Sequence, residues 1–180
     1  MRRVLVLGCG GSGKTVLANR LGPALGVPVI HLDALFYGEG FEPVPAEEFA
    51  RRQREVINAG GGFVMDGNYA STLALRASAA DTVLWLDPHP LVCLAGILSR
   101  RGRYRGGVHA DGVHDRITLD FVKYVWGYRK LMAPRVAAIL AEHATAAEAH
   151  RFTSRRQAAA WLDQAVTAID EGSPSMKDEG

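Results

Sequence analysis

The stretch Gly8-Cys9-Gly10-Gly11-Ser12-Gly13-Lys14-Thr15 decides how the rest of the chain is read. It fits the pattern of a phosphate-binding loop, G-x-x-x-x-G-K-[ST], and also the tighter spacing G-x-x-G-x-G-K-T through Gly8, Gly11 and Gly13. Glycines let the backbone turn where a Cβ would clash, so successive N–H groups can converge on one anion. Gly8, Gly10, Gly11, Ser12 and Gly13 are the expected cradle. Lys14 adds a mobile charge for the terminal phosphates, and the Thr15 hydroxyl is a candidate Mg²⁺ ligand. Such a loop has to leave a strand and open a helix, whose N-terminal dipole favours the anion. Both neighbours are present: Arg3 to Leu7 reads as a buried strand and Lys14 to Leu25 as a helix.

Outward from the loop, strands and helices alternate. Gly22-Pro23 interrupts the first helix near its end and Gly26 closes it. Val27 to His31 is a short strand, followed by a loop with Gly38, Gly40, Pro43 and Pro45. Pro45 is placed to open a helix that turns Phe49, Val56 and Ile57 inward and Arg51, Arg52 and Arg54 outward. Gly60-Gly61-Gly62 ends it before the strand Phe63 to Asp66. A helix from Thr72 to Ala79 leads to the strand Thr82 to Leu86. Asp87-Pro88 reads as a helix start, with Asp87 as the cap, running to about Arg101. Arg116 to His143 has helical spacing, and Pro134 should kink or split it. Ala149 to Phe152 is a fifth strand, Ser154 to Ile169 a closing helix, and 171–180 a polar tail expected to be disordered. The alternation implies an α/β fold in which a parallel sheet carries helices on both faces. Residues 1–170 are read as one domain, since 180 residues suffice for a single core that buries roughly 70% of the unfolded surface.

Ligands in such folds sit beyond the carboxyl ends of the strands. Asp33, Asp66 and Asp87 each follow an apolar strand there, so each is a candidate to hold a metal-bound water or to take a proton from an attacking hydroxyl. Asp87 has a competing explanation as a helix cap. A second cluster, Arg100, Arg101, Arg103 and Arg105, lies in a glycine-rich segment that reads as a lid over 102–115. Phosphoryl transfer spreads charge over the equatorial oxygens, and arginine clamps compensate it. A solvated basic helix end explains one or two of the four. His109 and His114 lack cysteine partners and read as polar loop residues. Tyr124, Trp126 and Tyr128 are spaced mainly for helix packing.

A net charge of +2 is too small to argue for a nucleic-acid or membrane partner. Two cysteines give no disulfide framework, which suits a reducing cytoplasm, and no apolar run reaches membrane-spanning length. Met1-Arg2-Arg3 runs straight into the first strand, leaving no room for a signal peptide.

Several segments together resemble adenylate-kinase-related P-loop proteins, in particular the group called "topology modulation" proteins. They are Gly8 to Thr15, Pro28 to Phe36, Met65-Asp66-Gly67-Asn68-Tyr69, Ala80 to Asp87 and Asp120 to Tyr128, so the likeness spans most of residues 3 to 165. The resemblance implies a five-stranded parallel sheet in the order 2-3-1-4-5, an ATP site with Mg²⁺ and a mobile lid. It implies that Asp66-Gly67 helps to organise the metal, as the matching pair does in adenylate kinases. It also implies that Asp33 holds metal or an acceptor hydroxyl. The chain departs from adenylate kinases in two places: residues 33 to 60 are too simple for a full nucleoside-monophosphate domain, and no Pro-Arg follows Tyr69. Val113-His114-Asp115 replaces the Cys-Pro-Glu piece often found in the group. The expectation is an ATP-dependent phosphotransferase, monomeric or homodimeric, that moves the γ-phosphoryl group of ATP to a hydroxyl or phosphate of a small molecule, nucleoside or nucleotide. Lys14, Asp33, Asp66, Arg100, Arg101 and Arg105 are its candidate catalytic residues. The alternative is an ATP-binding regulatory or nucleic-acid-associated protein without a dedicated acceptor.

Overall fold

The computed structural model describes residues 1–38, 40, 42–104 and 118–172, with the side chains of 100–104 and of 172 outside that description. Strand β1 (Arg3–Gly8) lies at the centre of a five-stranded, all-parallel sheet in the order β2-β3-β1-β4-β5. Its neighbours are β3 (Phe63–Asp66) and β4 (Thr82–Leu86), with β2 (Val29–His31) and β5 (Glu148–Phe152) at the edges. The expected α/β architecture and strand order are both present.

The sequence of β1 explains the three layers. Successive residues on a strand point to opposite faces. Leu5 and Leu7 enter one core with Phe63, Met65, Val83 and Trp85, while Val4 and Val6 enter the other with Val64, Leu84 and Leu86. The side chains of Val4, Leu5, Val6 and Leu7 are all fully buried, so β1 needs apolar residues at successive positions from 4 to 7. Each such side chain contributes about 1.5–3 kcal/mol of transfer free energy. The Val4–Val6 face is covered by α1 (Lys14–Leu25) through Leu17, Ala18 and Leu21 and by α8 (Arg155–Gly172) through Ala158 and Leu162. The other face takes α3 (Ala46–Asn58), α4 (Leu73–Ala77), α5 (Pro90–Tyr104), α6 (Leu119–Leu131) and α7 (Ala133–His143).

Local differences from the sequence reading have local causes. Helix α1 continues past Gly22-Pro23 to Leu25, and Gly26 ends it at φ 64° with its N–H donating to the carbonyls of Gly22 and Pro23. Pro45 caps α3 with an extended ψ of 146° and is not its first helical residue. A five-residue helix, α2 (Leu32–Phe36), occupies what reads as loop; it is too short to show a period. The expected helix 72–79 is a 3-10 turn, Ala70–Thr72, followed by α4. The long helix starts at Leu119, where the Thr118 hydroxyl accepts from the Phe121 N–H at 3.1 Å, and it splits at Met132 with Pro134 in the first turn of α7. Helix α8 runs to Gly172, and 173–180 lie outside the described residues. Of the expected lid 102–115, residues 102–104 end α5 and the remainder lies outside the described residues.

Asp87 is not a helix cap. Helix α5 begins at Pro90, and His89 sits ahead of it with its Nδ1 accepting from the Leu91 N–H. The Asp87 carboxylate, 0% exposed, accepts from Arg151 Nη2 at 2.6 Å and Arg129 Nε at 3.2 Å. Arg151 also lies over the Trp85 ring, 4.6 Å from its centroid. Asp87 therefore joins β4, β5 and α6 by charge-assisted bonds. We expect Asp87→Asn to cost about 2 kcal/mol, because two guanidinium groups lose their counter-charge while water reaches both and offsets part of the loss. Thermal unfolding checks this, with an expected fall in Tm of about 4–8 °C.

Candidate active site

The segment from Gly8 to Thr15 links the end of β1 to the start of α1 as a tight loop. Gly8 and Gly11 adopt φ 147° and 72°, which side-chain-bearing residues rarely accept. Space imposes the same choice: a Cβ at Gly8 would collide with the Leu86 carbonyl oxygen, and one at Gly11 with that of Cys93. The loop is thus pressed between the end of β4 and the first turns of α5. Its own turn is closed by Ser12 N–H donating to the Cys9 carbonyl at 3.1 Å. No side chain caps α1 at Gly13, so the helix N-terminus opens directly onto the loop. Lys14 Nζ folds back to the Cys9 carbonyl at 3.2 Å. Arg155, at the start of α8, holds the loop from outside through its Nη2, which donates to the Gly11 carbonyl and, at 3.0 Å, to that of Val92. Nothing in the sequence marks Arg155, which is remote from the loop along the chain.

The three strand-end acids fall into three different environments. Asp66 is the last residue of β3 and the register partner of His31 on β2. Its Oδ2 accepts from the Thr15 hydroxyl at 2.7 Å and stands 3.3 Å from His31 Nδ1. Its Oδ1 is buried without a partner among the described residues. Burial pushes the Asp66 pKa upward, but the His31 contact, the Lys14 charge and the Thr15 hydroxyl outweigh it, so the carboxyl lies below the usual range. Asp33 lies in the first turn of α2, part-exposed on the rim, where its Oδ1 accepts from the Tyr69 phenol at 2.6 Å. Asp87 is engaged by its two arginines. The sequence reading sets Asp87 apart as a candidate cap and keeps Asp33 and Asp66 as site candidates; the structure places Asp66 beside Lys14 and Thr15.

The donor set at Thr15 and Asp66 fits Mg²⁺. Mg²⁺ is held by oxygen atoms, often one or two carboxylates plus substrate phosphates. A hydroxyl, an ionised carboxylate and an unpartnered buried carboxylate oxygen stand together here. Among the described residues no group of three or more His, Cys, Asp or Glu forms an all-protein metal cage. The buried Ser12 hydroxyl, also without a partner, is a second polar atom left open in the loop.

The turn Gly67-Asn68-Tyr69 after Asp66 carries residues the sequence reading left as turn or packing. Asn68 Oδ1 accepts from the Gly8 N–H at 3.0 Å, and its Nδ2 stands 3.4 Å from the Tyr124 hydroxyl. Its carbonyl accepts from Arg76 Nη2 at 2.7 Å. Arg76 is wholly buried and also reaches Gln53 Oε1 and Thr72 Oγ1, both at 2.7 Å. Burial pushes the Arg76 pKa down to about 9, so the group stays charged at neutral pH. Phe121 packs on Gly10, so α6 faces the loop with Phe121 and the turn with Tyr124. Arg100 and Arg101 occur near the end of α5 with side chains outside the described residues, and Arg105 lies wholly outside them. No described helix is long and apolar enough to cross a membrane.

No family model matches this sequence, and no curated protein matches it significantly. Solved structures do. A shikimate kinase from Acinetobacter baumannii, in complex with shikimate, superposes with a TM-score of 0.57 at 15% identity over 98% of this chain and 96% of that one. An unliganded sugar kinase from Janibacter gives 0.56 at 18% identity, covering 96% of both chains. A gluconokinase from Sinorhizobium meliloti gives 0.53 at 15%, covering 94% of this chain and 92% of that one. At these identities the likeness is one of fold, and it singles out no subgroup. Over nearly its whole length the chain shares the five-stranded parallel α/β fold of these three structures.

Proposed function

We propose that the protein is an ATP-dependent phosphotransferase that moves the γ-phosphoryl group of ATP to a hydroxyl of a small molecule. The observation that carries the reading is the convergence of Lys14, Thr15 and an Asp66 with an unpartnered oxygen at the open N-terminus of α1. The catalytic unit is the single domain 1–170. Gly10, Gly11 and Gly13 present backbone N–H groups to the phosphates, while the N–H groups of Gly8 and Ser12 hold the loop's shape through Asn68 Oδ1 and the Cys9 carbonyl. Lys14, whose ammonium now rests on a loop carbonyl, swings to the β- and γ-oxygens. Thr15 and Asp66 would hold Mg²⁺, which would supply charge neutralisation at the phosphates when bound. Asp33 accepts the proton of the acceptor hydroxyl as its oxygen bonds to the γ-phosphorus and the bond to ADP breaks. Arg100, Arg101 and Arg105 offset the charge of the transferring group. The likeness to shikimate, sugar and gluconate kinases supports a hydroxylated acceptor by analogy of fold.

The direct test is a screen with MgATP over sugars, sugar acids, shikimate, nucleosides and nucleoside monophosphates, with phosphorylated product identified by mass. No product from any class, together with salt-dependent DNA binding, would favour the regulatory alternative. Lys14→Ala is expected to lower turnover by about 10²–10³-fold with an unchanged circular dichroism spectrum; turnover at the wild-type rate would remove Lys14 from the mechanism. Asp66→Asn is expected to lower turnover by about 10²-fold and to raise the Mg²⁺ concentration needed, whereas Asp87→Asn mainly lowers Tm. Asp66 also predicts a pH effect. Its folded pKa is depressed, so its contribution to stability is complete above the unfolded value of about 3.9 and fades as pH falls through the folded value. Asp66→Asn should flatten that part of the acid-unfolding curve. Single Arg→Ala variants at 100, 101 and 105 should lower kcat more than ATP affinity, by roughly 10³-fold where the arginine is essential.

A further inference from the structure

Tyr69 has the only positive φ among the described non-glycine residues, at 29°. Such a conformation is strained and persists only where the surroundings over-determine it. They do so here from three sides. On the chain before it, the Asn68 carbonyl is held by the buried Arg76. On the chain after it, the Tyr69 carbonyl accepts from the Thr72 N–H at 3.1 Å. Around the ring, Phe36 and Phe49 pack with centroids 4.8 Å away and 5.2 Å from each other, so the three rings form one cluster. The outcome of this confinement is one polar contact, the 2.6 Å bond from the Tyr69 phenol to Asp33 Oδ1. Burial and the Asp33 charge both push the Tyr69 pKa up, so the phenol keeps its proton and acts as a donor at neutral pH.

The position of that donor has a chemical consequence. Asp33 belongs to a five-residue helix at the sheet edge, an element with little rigidity of its own. The strand before it is tied to Asp66 through His31, and Asp33 itself is tied to the turn after Asp66 through Tyr69. One short turn, 66–69, therefore locates both acids. With Oδ1 engaged by the phenol, Oδ2 is the carboxylate oxygen left to face an incoming hydroxyl.

We propose that Tyr69 is a positioning residue for phosphoryl transfer. It fixes the Asp33 carboxylate so that a single oxygen, Oδ2, is presented to the acceptor hydroxyl, or to water when no acceptor is bound. The proposal rests on the phosphotransferase reading for its consequence, while the contact itself is testable without it. Tyr69 keeps its proton throughout and touches neither nucleotide nor acceptor.

The experiment uses the full chain and MgATP alone, with water as the acceptor. Tyr69→Phe keeps the ring and removes the donor. The expected result is acceptor-free hydrolysis slowed about tenfold, the loss expected for a hydrogen bond to a charged group, with the KM for ATP unchanged. Asp33→Asn should slow hydrolysis at least as much, and the double variant should be no slower than Asp33→Asn. Wild-type hydrolysis in Tyr69→Phe, or full additivity in the double variant, overturns the proposal. So does a loss of rate accompanied by an equal loss of ATP affinity and a lowered Tm, which a merely structural role would give. The second readout is the Tyr69 ring carbon in protein labelled with ¹³C-tyrosine and assigned with Tyr69→Phe. Asp33→Asn should let this phenol ionise at least about one pH unit lower than in the wild type. An identical titration in both overturns the pairing. A wild-type protein that binds MgATP and hydrolyses none counts against the phosphotransferase reading and the role proposed for Tyr69, and the titration then decides the contact by itself.

Discussion

Asp66 is a buried carboxylate, 6% exposed, and the arrangement of the site follows from what that requires. A buried charge is tolerated only where partners replace its hydration. Thr15 from α1 and His31 from β2 share one oxygen, and Lys14 lies close enough to favour the ionised form. These partners come from opposite sides of β3, so the requirement fixes the phosphate loop and the end of β2 around a single atom. The other oxygen has no partner among the described residues, which is the observation behind the cation site proposed above.

The phosphate loop is constrained just as tightly from behind. Its glycines lie against the carbonyls of Leu86 and Cys93, Arg155 binds its outer carbonyl, and Asn68 binds its first N–H. Polar groups not used in holding the loop are therefore free to face a ligand. For the proposed phosphoryl transfer this would be preorganisation, with the donors oriented before charge develops. Asn68 matters more than its place in a turn suggests, since it touches the loop, α6 and Arg76 at once.

The three acids also differ in their partners: Asp87 is salt-bridged to two arginines, Asp33 bonds one phenol, and Asp66 keeps one oxygen without a partner among the described residues. Asp87 serves the joint between β4, β5 and α6, and the energy of that network is spent on cohesion. Asp33 sits on the part-exposed rim with one oxygen engaged, and Asp66 lies at the centre. The division explains why all three end strands while their substitutions are expected to differ.

The phosphate loop, the strands and the order of the layers were legible in the sequence because they depend on local rules. A glycine-rich segment between an apolar strand and a helix admits few conformations, and an all-apolar β1 must be buried on both faces. Pro134 and Gly26 marked helix ends for equally local reasons. The assignment of the acids was not legible. Whether Asp87 caps a helix or pairs with Arg129 and Arg151 depends on residues 42 and 64 positions away. The link from Tyr69 to Asp33 spans 36 positions and that from Arg155 to the loop spans 144, with no periodicity to announce either. Sequence determined which residues had the right chemistry at the carboxyl edge of the sheet. Only the tertiary structure decided which of them face one another, because a carboxylate takes its role from the donors that happen to surround it in space.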